Sequence, residues 1–348
     1  MNNRNIESIN KLITPYELKN QLNLKYEDRI FIEDTRIKIN DIINGQCEKK
    51  LVVVGPCSVH NYEECIDYAK QLKKMSEEFD NLYIVIRLYF EKPRTIAGWK
   101  GFLYDPYLDE TNNISIGLEK TRKLLLEITQ MRLPIATEFL DTIIPQYIDD
   151  LISWGCIGAR TVESQLHRQL ASGLSMSIGF KNRTDGNIDI AINGMLSAKN
   201  PHSFLGIDIN GCASIVNTSG NNNTCIVLRG GGGEQNLTSD KVINILEKLG
   251  KNKCNNSIII DMSHDNSIIN GKKDYKQQIN NVSNICKYWK NHFKEYFKNV
   301  KGVMIESNIN EGKQNINKSL KYGVSITDGC INLEDTYECL KMMNISCN

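Results

Sequence analysis

From Leu51 onward the chain alternates short apolar runs with stretches whose hydrophobic residues recur at helical spacing. Leu51–Val54 is continuously apolar and stops at Gly55-Pro56. Seven further runs predict strands: Tyr83–Tyr89, Pro134–Phe139, Cys156–Thr161, Met176–Lys181, Cys225–Arg229, Ile258–Met262 and Val303–Glu306. Apolar residues at consecutive positions are what a parallel strand covered on both faces requires.

The intervening segments read as amphipathic helices. Asn61 can cap a helix carrying Ile66, Ala69, Leu72 and Phe79 inward, and Leu118, Leu125 and Ile128 mark a helix over 117–131. A helix starts at Pro145, and Leu166 and Leu170 mark another that stops at Gly173. Ile188, Ile192 and Met195 mark the next. Helices over 240–249, capped by Ser239 and stopped by Gly250, and over 274–293 follow, with a last one starting near Glu334.

The alternation falters once. Ser203–Ile209 and Ala213–Asn217 flank Asn210-Gly211, the signal of a two-residue hairpin turn. Neither arm ends in a charged residue, so the hairpin reads as an insertion. Without it there are eight β/α units, and a closed (β/α)8 barrel is the expected architecture. A doubly wound open sheet is the alternative. Residues 1–50 read as an N-terminal regulatory or oligomerisation extension, and 51–348 as a catalytic barrel with the hairpin near 203–217. Within the extension, Thr14-Pro15-Tyr16-Glu17 spells a capping box with proline at its first turn. A second helix follows, with Ile32, Ile39, Ile42 and Ile43 on one face, ending near Gly45. It can pack on the main body or on another subunit.

Composition narrows the class. The 348 residues are 41% hydrophobic and 24% charged, enough for a core and a solvated surface, and the net charge of +1 gives no drive toward nucleic acid or membrane. Eleven scattered cysteines without a C-x-x-C pair suit reduced thiols. The start lacks an apolar signal region and no run approaches membrane-span length, so the expected location is cytoplasmic.

The chemistry stands at the strand ends. In order these hold Cys57, then Arg87 with Lys92 and Arg94, Glu138, Arg160, Lys181, Arg229, His264 and Glu306, with Asp328 in a loop beyond. A barrel gathers such positions on one face. A single arginine ending a strand is commonly a structural ion pair, but six cations from different strands ask for an anion. Arg160, Lys181 and Arg229, with Arg87 and Lys92, can surround a phosphorylated carboxylate. Lys92, Arg94 and Thr95 can hold a second phosphate. Cys57, His264, Glu306 and Asp328 form a mixed set suited to a divalent first-row metal, Mn, Fe, Co or Zn. The plain alternatives are a small buried cysteine and a hydrogen-bonded core histidine.

These residues lie in motifs that resemble the type I 3-deoxy-D-arabino-heptulosonate-7-phosphate (DAHP) synthases, the feedback-regulated class that opens the shikimate pathway. The matching stretches include Gly55-Pro56-Cys57-Ser58-Val59-His60, and Tyr89-Phe90-Glu91-Lys92-Pro93-Arg94-Thr95 with Gly98-Trp99-Lys100-Gly101. Gly158-Ala159-Arg160-Thr161 through Gln165, Gly179-Phe180-Lys181-Asn182, Leu228-Arg229-Gly230-Gly231 and Ser325-Ile326-Thr327-Asp328 complete them. The resemblance covers nearly the whole chain. It implies a metal-dependent condensation of phosphoenolpyruvate with erythrose 4-phosphate, releasing phosphate. By that resemblance Cys57, His264, Glu306 and Asp328 hold one divalent metal. Arg87, Lys92, Arg160, Lys181 and Arg229 bind phosphoenolpyruvate, Lys92, Pro93, Arg94 and Thr95 meet erythrose 4-phosphate, and Ala159 is a further substrate-binding position. Lys92, able to touch both substrates, is the expected proton donor, and Cys57 and His264 complete the catalytic set.

The resemblance also implies an aromatic amino acid inhibitor near a subunit interface, with Pro145, Gln146, Leu170, Leu174, Ser175, Phe204 and Gly206 around it. Gly206 stands where phenylalanine-sensitive members often have serine, which favours tyrosine over phenylalanine. A dimer or tetramer is expected. Three departures stand out. Gly232 and Gly233 lengthen the turn after Arg229, Asp265 replaces a small residue after His264, and Asn308 replaces a histidine. Asp265 either orients a partner or faces water. Rival readings are a keto-octulosonate synthase, disfavoured by the Lys-Pro-Arg-Thr loop, and a non-catalytic aromatic amino acid sensor, disfavoured by the intact metal set.

Overall fold

The computed structural model describes residues 3–290, 297–317 and 319–347. Eight parallel strands close into a barrel in the order β1-β12-β9-β8-β5-β4-β3-β2. They are β1 (Lys50–Gly55), β2 (Leu82–Arg87), β3 (Ile135–Glu138), β4 (Trp154–Ile157), β5 (Ser177–Lys181), β8 (Thr224–Leu228), β9 (Ile258–Asp261) and β12 (Val300–Glu306). Closure settles the architecture as a (β/α)8 barrel and removes the open-sheet alternative. The hairpin β6 (Ser203–Ile207) and β7 (Ala213–Asn217) stands outside the barrel, as does a short one, β10 (Ile268–Ile269) and β11 (Lys272–Lys273).

Helices α1 (Pro15–Gln21) and α2 (Tyr26–Asn44) precede the barrel. Around it run α3 (Tyr62–Ser76), α4 (Ile114–Gln130), α5 (Pro145–Ile148), α6 (Gln165–Gly173), α7 (Asp189–Ala198), α8 (Ser239–Lys251), α9 (Gln277–Lys290) and a C-terminal helix, Leu333–Ser346. Of the helix expected over 274–293, residues 291–293 lie outside the described residues.

Two cores follow from the two faces of each strand. Outward residues such as Val52, Ile84 and Ile260 pack beneath the surrounding helices. Inward residues Leu51, Val53, Val85, Trp154, Val227 and Met304 form a separate cluster inside the barrel. That cluster includes Ile39, Ile42 and Ile43 of α2, each 0% exposed. The second helix of the extension therefore seals the floor of the barrel. Arg36 holds it there by donating to the carbonyl of Ile152 at 2.9 Å and to that of Asp149.

The first helix is a separate device. The Thr14 hydroxyl accepts from the Glu17 amide at 3.1 Å while Glu17 accepts from the Thr14 amide at 2.9 Å, the capping box expected there. It packs beside the hairpin: Tyr16 N donates to Ile209 O at 2.8 Å, and Lys19 pairs with Asp149 at 3.1 Å. Both helices thus lie on the main body.

Several boundaries differ from the sequence expectation, and three of them have a visible physical reason. β2 ends at Arg87 although Leu88 and Tyr89 continue its alternation, because the ladder stops there while the burial does not. β4 starts two residues early, at Trp154, where Gly155 fits against Phe139 and Ile178. The hairpin turn is longer than the Asn210-Gly211 signal predicts. Asp208 N donates to Cys212 O at 2.9 Å, leaving a three-residue loop closed by Gly211 at φ +74°.

Candidate active site

A strand's period of two carries the same inward face from floor to mouth. On β2 it runs Tyr83, Val85, Arg87; on β9 it runs Ile259, Asp261; on β12 it runs Met304, Glu306. The inward positions change from apolar to ionised in a single step at the C-terminal end. There a cavity of ≈300 Å³ is lined by all six cations expected from sequence, Arg87, Lys92, Arg94, Arg160, Lys181 and Arg229. Pro93, Ala159, Glu138, Cys57, His264 and Asp328 share its wall. Thr95 lies beyond the lining, where its hydroxyl accepts from Arg160 Nε at 3.3 Å.

Each deep cation is fixed by its own carboxylate. Arg87, fully buried, donates to Glu306 Oε1 at 3.0 Å and to the Cys57 carbonyl at 2.9 Å. Lys181 Nζ donates to Asp261 Oδ2 at 3.0 Å, and Arg229 Nη2 to Asp265 Oδ1 at 3.1 Å. Burial works against all these charges, and the pairing overcomes it. Asp261 is held well below the usual carboxylate range by His264 and Lys181 despite its burial, and Asp261 in turn raises Lys181. Gly55 allows the approach around Arg87, since a Cβ there would meet the Arg87 carbonyl at 2.5 Å.

Beside the cations, the donor atoms of Cys57, Glu306 and Asp328 all lie within 4.8 Å of one another, the group among the described residues suited to a metal. One thiol and two carboxylates make a soft-and-hard set that fits a first-row divalent ion. Glu306 is pinned by Arg87 on one oxygen and by Ser263 Oγ on the other at 2.6 Å. Burial pushes the Cys57 thiol up, and Glu306 adds to this; Lys92 and Arg87 oppose it. A cation in the group would favour the thiolate. Asp328, half-exposed at the rim, is held far below the usual range by His264 and Lys273, the latter at 3.1 Å.

His264 lines the cavity but stands outside that three-residue group. Its Nδ1 faces Asp261 Oδ2 at 2.9 Å, which leaves Nε2 as the ring atom open to a metal. Lys92 Nζ bridges the two halves of the site, 2.9 Å from the Cys57 carbonyl and 3.6 Å from Cys57 Sγ.

Sequence reasoning missed three residues here. Tyr89 places its ring 3.6 Å from the Arg87 guanidinium carbon, 5.7 Å from Lys92 Nζ and 5.8 Å from Lys181 Nζ. A ring face shared by three cations eases their mutual repulsion. Its signal was present, two residues past Arg87 on the same face. Asp261 and Ser263, at the end of β9, are the others, and they show their part only through Lys181 and Glu306.

A second, smaller cleft lies between the hairpin and α5–α6. Pro145, Gln146, Leu170, Leu174, Phe204 and Gly206 line it, with a volume of ≈70 Å³. That is about the space of two waters. Ser175 does not line it: Leu174 turns inward from extended backbone, so the next side chain points out and is exposed.

Comparisons with known proteins point to one family. The model of the DAHP synthetase I family matches residues 27–341. The Tyr-sensitive phospho-2-dehydro-3-deoxyheptonate aldolase of Escherichia coli K12 is 42% identical over 100% of this chain and 96% of its own. The Phe-sensitive one of the same strain is 43% identical over 97% of this chain and 95% of its own. A solved phospho-2-dehydro-3-deoxyheptonate aldolase from Francisella tularensis SCHU S4 superposes with a TM-score of 0.94 at 44% identity, covering 99% of this chain and 98% of that one.

Proposed function

Since the chain belongs to the DAHP synthetase I family, we propose that its barrel mouth condenses phosphoenolpyruvate with D-erythrose 4-phosphate and water. The products are 3-deoxy-D-arabino-heptulosonate 7-phosphate and phosphate, in the first step of aromatic amino acid biosynthesis. The observation that carries this reading is one cavity walled by seven cations, the six expected and Lys273, and bordered by the Cys57–Glu306–Asp328 group.

Arg87, Lys181, Arg229 and Arg160 neutralise the carboxylate and phosphate of phosphoenolpyruvate, and Arg94 with Lys92 meets the second phosphate at the rim. Cys57, Glu306 and Asp328, joined by His264, would hold one divalent ion. Bound there, such an ion supplies Lewis-acid polarisation of an aldehyde oxygen. The methylene carbon of phosphoenolpyruvate forms a bond to the aldehyde carbon, and the Lys92 ammonium gives the new alkoxide its proton. Water adds at the carbon bearing phosphate, and the C–O bond to phosphate then breaks. Holding two anions together against their repulsion is the main electrostatic task.

The cleft at the hairpin is the proposed seat of feedback inhibition by an aromatic amino acid, with tyrosine favoured over phenylalanine. Its present volume requires it to open around a ring. A Cβ at position 206 would meet Val216 Cγ2 at 2.8 Å, so glycine keeps that wall clear. The outward Leu205–Ile215 pair of the hairpin, 84% and 72% exposed, is the surface proposed to pair subunits in a dimer or tetramer.

The deciding experiment follows phosphate release from the full-length protein given both substrates. Release should need both, stop on chelation and return when a divalent ion is added back. No release under any metal, or release with a five-carbon sugar phosphate in preference, overturns the assignment. Titration with Phe, Tyr and Trp tests the cleft, and inhibition by Phe alone rejects the tyrosine preference.

A further inference from the structure

Four glycines in a row, Gly230–Gly233, follow Arg229 at the end of β8. Gly230, Gly232 and Gly233 carry φ of 70°, 62° and 84°. Glycine loses more backbone freedom on ordering than any other residue, so the run has little stiffness of its own. What aims the Arg229 guanidinium must therefore lie outside it.

Among the described residues, Asp265 is the side chain bonded to both the guanidinium and the run. Its Oδ1 accepts from Arg229 Nη2 at 3.1 Å and its Oδ2 accepts from Gly233 N at 3.2 Å. Its backbone joins in, with Asp265 N donating to Arg229 O at 3.1 Å. The two loops touch so closely that a Cβ on Gly230 would lie 2.7 Å from Asp265 C. Arg229 lines the anion cavity while Asp265 does not, so the carboxylate grips the guanidinium from behind. It does not compete for the space in front.

We propose that Asp265 is a positioning residue, a brace that fixes Arg229 against the glycine run so that its free N–H groups face the anionic substrate already aimed. This rests on the proposed condensation, which makes that substrate phosphoenolpyruvate. A pre-aimed guanidinium loses less freedom on binding than a loose one.

Full-length wild type, Asp265→Ala and Asp265→Asn are compared by steady-state kinetics and by calorimetric titration with inorganic phosphate. In Asp265→Ala the KM for phosphoenolpyruvate should rise about tenfold, with kcat falling by less than about threefold and the KM for erythrose 4-phosphate within about twofold. Asp265→Asn keeps one oxygen acceptor and should fall between, and it also serves if the alanine variant does not fold. A brace without aiming function would lower thermal stability and shift both KM values together. That pattern, or an unchanged KM for phosphoenolpyruvate, overturns the proposal. The phosphate titration needs no turnover: weaker phosphate binding in the variants supports the brace even if wild type fails to consume phosphoenolpyruvate, a failure that would sink the condensation reading instead. Equal phosphate affinity in all three proteins overturns the brace.

Discussion

At the floor of the barrel the inward positions are Leu51, Val53, Val85 and Met304, closed off by Ile39, Ile42 and Ile43. Two residues further along the same strands, at the mouth, the inward positions of β2 and β12 are Arg87 and Glu306. One backbone geometry serves both ends, and only the side chains differ. The floor gains stability by removing apolar area from water, at roughly 25 cal/mol per Å². The mouth buries charges that lower stability unless each finds a partner. The contrast separates what holds the barrel together from what the barrel is for.

The sharpest way to break that contrast is Arg87→Met. It removes the cation and leaves the Glu306 carboxylate buried without its charge partner. Losing one partner of a buried pair costs about 3–5 kcal/mol, and a matching loss in transition-state binding is on the order of a thousandfold in kcat/KM. Kinetics and urea denaturation on one preparation read both. Activity within tenfold of wild type would show that the mouth's charges are structural like the floor's apolar residues.

The opposite signature is expected of Ile42→Ala. Ile42 is 0% exposed against the barrel interior and touches no ionised group of the mouth. Its truncation should cost about 2–5 kcal/mol of stability and leave both KM values alone where the protein stays folded. A changed KM would mean that the floor plug reaches the mouth through the barrel's core layers.

The same contrast explains how far the sequence could be read. Eight strands were visible because each is an apolar run ended by a turn or a charge, and closure followed from their number. The cations were visible because they interrupt that pattern. Their pairings were not. Arg87 meets Glu306 across 219 residues and Arg229 meets Asp265 across 36; no local periodicity links such pairs. Tyr89 was hidden for another reason: a buried aromatic on a strand reads as core, and only its placement among Arg87, Lys92 and Lys181 shows otherwise. His264 was expected among the metal donors; the loop's backbone holds it at φ +55° and turns Nδ1 to Asp261, so that Nε2 is the ring atom left for such a role.

The smallest effect concerns a mouth residue that obeys neither rule. Glu91 is 1% exposed and, among the described residues, has no cation partner and leaves Oε2 without a hydrogen-bond partner. Its other oxygen faces the Asp141 amide at 3.3 Å and the Tyr104 hydroxyl at 3.4 Å, with the Asp141 carboxylate close by. Burial above all, then the Asp141 charge, lifts its pKa from 4.5 to about 8. At neutral pH Glu91 is therefore a neutral acid, the mouth's alternative to pairing. The unfolded chain releases this proton near pH 4.5, while the folded chain keeps it until about pH 8. Between those values the folded state binds more protons, so stability falls as pH rises and levels off above about pH 8, with a slope of at most about 1.4 kcal/mol per pH unit. Glu91→Gln keeps the shape and removes the titration. Thermal denaturation of both proteins from pH 6 to 9 should show the glutamine variant gaining on wild type up to about pH 8 and by no more beyond it. A constant difference across that range would mean that Glu91 is ionised in the fold, and that an unpaired charge can be buried at this mouth after all.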